Sequence, residues 1–89
     1  MLIKEIYVLK DKCAECIREE IFLANNKATA IRLVKTILTS QSDITDKAKD
    51  LQLQYVGDID MITGKITKTE MQTIISLEAL LPEKKVELK

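Results

Sequence analysis

Histidine and tryptophan are absent from this chain, and its 89 residues include only two glycines, one proline and two cysteines. Without histidine the usual general base near neutral pH and the commonest transition-metal ligand are missing, so no enzyme is indicated and no cofactor is expected. Gly57 and Gly64 are the only glycines, and neither opens a helix, which excludes the glycine-rich loops that cradle phosphates. An excess of one charge is lacking as well, because fourteen Lys and Arg cancel fourteen Asp and Glu. No overall field therefore draws the chain to nucleic acid or to an anionic membrane, and any such contact must come from a local patch. The opening "MLIKEIYVLKDK" has charges at Lys4 and Glu5 in place of the apolar core of a signal peptide. No span approaches the ~20 apolar residues of a membrane helix. A cytoplasmic protein is expected, in the host cell if the chain is viral, with no membrane contact.

What is present is ordinary globular material, 46% apolar and 31% charged. A chain this short builds one modest core, which a partner chain can complete. Ile3 to Leu9 mixes β-branched, aromatic and leucine residues and reads as a strand, and Ile17 to Ala24 reads as a second that can pair with it across "DKCAEC". From Lys27 to Thr39 the period changes: Ala30, Ile31, Val34, Ile37 and Leu38 fall on one side of a helix, Arg32, Lys35, Thr36 and Thr39 on the other. Asn25 or Asn26 caps its start. "SQSDITDKAKD" is a polar loop with at most a short helical turn. Leu51, Leu53 and Tyr55 then alternate with Gln52 and Gln54, as in a strand with one buried face.

A further strand follows Gly64. Met71 to Leu81 also alternates, with Met71, Ile75, Leu77, Ala79 and Leu81 on one face, and is read as strand up to Pro82. The expected architecture is α+β, a small antiparallel sheet of three to four strands with one amphipathic helix on one face, in the order β-β-α-β-β. The single domain spans 1-82, and 83-89 is expected to be a frayed tail.

Several segments invite a chemical reading. Cys13 and Cys16 form C-A-E-C, but a structural zinc takes four ligands and the chain offers no second pair, unless a symmetric dimer supplies it. Two reduced cysteines are the simpler reading. "DIDMITG" places Asp58 and Asp60 two apart like a calcium loop, yet Ile62 stands at the third position and no glutamate sits at the bidentate one. A chain reversal from Asp60 to Gly64 explains the stretch better, with Gly64 at positive φ. Arg32 and Lys35 on the helix, with Lys65 and Lys68 beside the hairpin, are a sparse version of the basic groove that binds single strands, and Tyr7 and Tyr55 are the candidate stacking platforms. Solvated lysines are the plainer alternative, and Tyr55 shares the parity of buried Leu51 and Leu53.

Taken in order, "YVLKD", "IFLANNKATAIRLVKTIL" and "KDLQLQYVGDIDMITGKI" resemble the small nonstructural protein of gokushovirus-type microviruses, phages with circular single-stranded DNA genomes. The correspondents are Asp11, Phe22, Asn25, Asn26, Ala30, Ile31, Arg32, Asp50, Leu53, Gly57, Asp58, Thr63, Gly64 and Ile66, so the match runs over roughly residues 6 to 66. Acidic Glu15, Glu19 and Glu20 set the stretch "KCAECIREE" apart from a phosphate-contacting role. The resemblance implies action on viral single-stranded DNA, in replication or genome packaging, and a homo-oligomer is expected because each subunit binds weakly. The alternative is a protein-interaction module, a homodimer or a binder of a host protein, that touches no nucleic acid. A continuous positive stripe would favour the first, an exposed apolar patch the second.

Overall fold

The computed structural model describes residues 2–81; Pro82 and the tail over 83–89 lie outside them. Strands β1 (Ile3–Asp11) and β2 (Cys16–Ala24) form a hairpin, helix α1 (Lys27–Ser40) and a one-turn helix α2 (Ser42–Asp46) follow, and β3 (Leu51–Asp60) and β4 (Ile66–Ser76) form a second hairpin. All pairs are antiparallel, in the order β2-β1-β3-β4. The α+β order β-β-α-β-β thus stands as read, and the crossover through α1 carries the chain over one face of the sheet.

The helix forms where the apolar period predicts it. Asn26 is the cap, its Oδ1 accepting the N–H of Thr29 at 2.9 Å, which satisfies one of the orphan donors of the first turn. Ala30, Val34 and Leu38 are buried against Tyr7, Leu9, Ala24, Leu51 and Leu53 of the sheet. Burying a leucine fully contributes roughly 1.5–3 kcal/mol by transfer. The segment after α1 is less polar in effect than its composition suggests: Ile44 of α2 and Ala48 of a following 3-10 turn are buried in the same core. Arg18 on β2 ties this segment to the sheet, with Nε 2.8 Å from Glu20 Oε1 and Nη2 3.6 Å from Asp43 Oδ2. The guanidinium holds the Glu20 carboxyl below its ordinary value.

The C-terminal part corrects the sequence expectation. The strand after Gly64 and the start of the alternating run are one strand, which ends at Ser76; Leu77–Leu80 is a 3-10 turn. Ser76 Oγ accepts the N–H of Glu78 at 3.3 Å and so starts the turn, and Leu77 is buried in the core. Alternation over Leu77–Leu81 therefore reflects one deeply placed leucine and its neighbours, with no partner strand.

Register fixes which side chains share a face, since directly opposed residues of an antiparallel pair point the same way. On the helix side Phe22, Tyr7, Tyr55 and Gln72 form one cross-strand row, and Ala24, Glu5, Asp58 and Thr67 the next. On the other side the rows are Lys4, Ile59, Ile66, then Leu23, Ile6, Gly57, Lys68, then Ile21, Val8, Gln54, Thr73, then Ile17, Lys10, Gln52, Ser76. Pairing with β1 passes over Val56, an extra residue that forms a bulge. No described helix covers this second face.

Candidate functional site

The six residues singled out from sequence do not form one site. Arg32 and Lys35 are exposed one turn apart on the outer side of α1. Lys65 lies at the far end of the helix-side face, lining a shallow depression with Ile3, Asp58, Asp60 and Thr67. Lys68 is opposite Gly57 in the register, on the uncovered face, the other side of the sheet from the helix. A continuous positive stripe through all four is not what the fold builds.

Tyr7 is a correction. Its ring is 2% exposed, packed 5.5 Å centroid to centroid against Tyr55 with the planes 47° apart, so it offers no surface on which a base can stack. Burial, with help from the hydroxyl's hydrogen bond to the Glu5 carboxylate, pushes its pKa up. Tyr55 is half-buried beside it and donates to Asp58 Oδ1 at 2.7 Å. That hydrogen bond first, and burial second, pushes the Tyr55 hydroxyl up to about 12. Phe22 shares their row, so all three aromatics belong to the helix side, and the open face of the sheet has none of them. Parity already set Tyr55 with buried Leu51 and Leu53; the cross-strand partner that buries Tyr7 is invisible until the register is known.

The acidic turn is engaged in its own structure. Asp60 Oδ1 accepts the N–H groups of Ile62 and Thr63 at 2.9 and 3.3 Å, and the Asp60 carbonyl accepts Gly64 N–H at 2.7 Å. Gly64 has φ +81°, the left-handed conformation that a residue closing such a loop adopts without steric cost when it is glycine. Cys13 and Cys16 are both exposed thiols around the β1–β2 turn, where Asp11 Oδ1 accepts the N–H of Cys13 and of Ala14. They supply two of the four donors of a structural zinc site, and no group of three or more Cys, Asp or Glu placed to hold a metal occurs among the described residues. No described helix is long and apolar enough to cross a membrane.

A helix on one face leaves the other open; what the sequence reading missed is how apolar part of that open face is. Ile21 on it is 64% exposed, and Ile17 and Leu23 of the same strand are exposed too. Ile6 and Val8 of β1 continue the apolar surface; Val8 is buried there by its neighbours in the sheet rather than by a covering helix. The middle of the β3 and β4 half is polar, where Gln54 Nε2 donates to Gln52 Oε1 at 3.1 Å and to Thr73 Oγ1 at 3.0 Å, and its far end is apolar again, with Ile59 opposite Ile66, which is 60% exposed. Lys4, Lys10 and Lys68 stand at its ends. The signal was present in β1, where Ile6 and Val8 alternate with Tyr7 and Leu9 so that both parities are apolar, as in a strand buried on two sides.

These features define a small non-membrane-helix α+β protein with a helix-covered face, an open apolar-polar face and unpaired surface cations. The chain belongs to the Phage ORF5 protein family, whose model matches residues 4–80. It is a phage protein, and the match takes in α1 and the strands from Lys4 of β1 onward. Neither the curated proteins nor the solved structures gave a match.

Proposed function

We propose that this is a non-enzymatic phage accessory protein that binds the viral single-stranded DNA during replication or genome packaging in the host cytoplasm, weakly per subunit and more tightly as an oligomer. The observation that supports this most is the state of the cations. Among the described residues the ion pairs are those of Arg18, which leaves Arg32, Lys35 and Lys68 exposed and free to meet phosphate, while Lys65, also exposed, shares its depression with Asp58 and Asp60. With the aromatics on the covered face, attraction comes from backbone charge rather than from stacking. Such binding is indifferent to base sequence and falls steeply with salt.

The test is fluorescence anisotropy of a labelled oligonucleotide at low and moderate salt. Arg32→Glu with Lys35→Glu is expected to weaken binding and to flatten the salt dependence by about one to two phosphate contacts. Binding absent at low salt, or unchanged by the double substitution, rules the reading out. A second reading, a protein-interaction module that binds its own copy or a host protein and no DNA, is favoured by the exposed apolar side chains of the open sheet face and by the scatter of the four cations over separate surfaces.

A further inference from the structure

We infer that the uncovered sheet face is the seat of a second copy of this chain, giving a two-fold dimer in which the open faces stack and the helices point outward. The inference rests on the oligomer part of the proposed function and names the surface that makes it.

Size comes first. A four-stranded sheet with strands about 4.8 Å apart and about 30 Å long presents roughly 600 Å² in projection, and side-chain relief brings it near the ~800 Å² per partner of a stable interface. The edge of β4 and the helix flank offer narrower strips. Chemistry comes second. Ile17, Ile21 and Leu23 of β2 with Ile6 and Val8 of β1 are the apolar half, Gln52, Gln54 and Thr73 are a hydrogen-bonded polar stretch of the other half, and Ile59 and Ile66 close that half with an apolar end. Gln54 is buried, and its Nε2 already donates twice within the chain, so a covering partner need not satisfy that donor.

Symmetry comes third. A two-fold axis lying between the faces and perpendicular to the strands keeps the lateral order, so β2 lies over the partner's β2 and apolar half meets apolar half. An axis along the strands would set β2 over β4, placing Ile21 and Leu23 against Thr73 and Lys68. Only the first arrangement is isologous in chemistry as well as in shape. Zero net charge leaves no overall repulsion between copies. Lys4 of each copy approaches Lys10 of the other near the ends of the sheet, where long side chains can turn out to solvent. Salt therefore holds or tightens the dimer while it weakens DNA binding.

The test is light scattering of the full chain at micromolar concentration, with circular dichroism to check folding. Wild type is expected at the mass of two chains, unchanged or tighter as salt rises. Ile21→Glu, and independently Ile17→Glu, introduce a charge at exposed positions and are expected to weaken association by about tenfold or more, since each change occurs twice in the interface. Ile62→Glu, on the β3–β4 turn away from the face, stays dimeric. A wild type of single-chain mass overturns the dimer whether or not it binds DNA. So does dimerisation unaffected by both face variants, or lost equally in Ile62→Glu. A wild-type dimer that binds no oligonucleotide supports this interface and overturns the DNA reading.

Discussion

At the scale of residues the most connected group is the pair of tyrosines and the two carboxylates that accept their hydroxyls. Glu5 and Asp58 oppose each other across β1 and β3, as Tyr7 and Tyr55 do one row along, and each hydroxyl bonds to the carboxylate of its own strand. Both hydroxyls are held above the ordinary value of 10.0. Their contribution to stability is thus whole below about pH 10, where folded and unfolded chains are both protonated, and is lost as pH climbs from there because the unfolded chain ionises first, for Tyr55 by about pH 12 and for Tyr7 higher still. Urea unfolding of Tyr55→Phe should show a loss of roughly 1–2 kcal/mol at pH 7 from the missing charge-assisted bond. Between pH 10 and 11 the variant should decline less than wild type; an equally steep decline in both would show that Tyr55 does not carry the linkage.

Elements were legible in the sequence to different depths. The helix was read nearly to its ends because its period, its cap and its polar face agree, and Asn26 was one of the two candidate caps. Leu51, Leu53 and Tyr55 were placed on the right face of β3 by alternation alone. The end of β4 was misread because a 3-10 turn eclipses residues three apart, and over four residues that does not separate from a strand. The site was less legible than the fold: which cations share a face depends on register and bulges, and neither is written in composition.

Gly57 shows what register adds. A β-carbon there would collide with the Thr67 carbonyl oxygen and come within 3.1 Å of Lys68 Cα, so β3 and β4 approach as they do only because that position is bare. Gly57→Ala is expected to destabilise the protein by about 2 kcal/mol or more, with the chemical shifts of Thr67 and Lys68 moving most. Retained stability would mean that the hairpin opens at little cost.

At the scale of the whole molecule, order is set by position in the sheet. β1 and β3 are paired on both sides, β2 and β4 on one, and the covered core lies toward the end of the sheet that holds Leu9, Leu51 and Leu53. Native-state amide exchange is expected to be slowest in the middle of β1 and β3, faster along β4, and fastest over the β3–β4 turn, where Ile62 is 73% exposed. If a second copy covers the open face, protection of β2 should rise with protein concentration while that of the turn does not. Exchange uniform across the four strands would contradict this grading.

The unmatched Val56 gives the second hairpin an arithmetic of its own. Tyr55 and Asp58 are an odd number of places apart, which in an unbroken strand means opposite sides, yet here they bond to each other. One uncounted residue has reversed the phase of everything beyond it. Losing or gaining a single residue near Val56 would exchange inside for outside along the rest of that arm, carrying Asp58 to the open face and Ile59 to the covered one, whereas a change of two would only alter its reach. Which chemistry the arm shows to each side is therefore decided by counting, and a relative of this chain with the same composition and one residue fewer there would present a different surface.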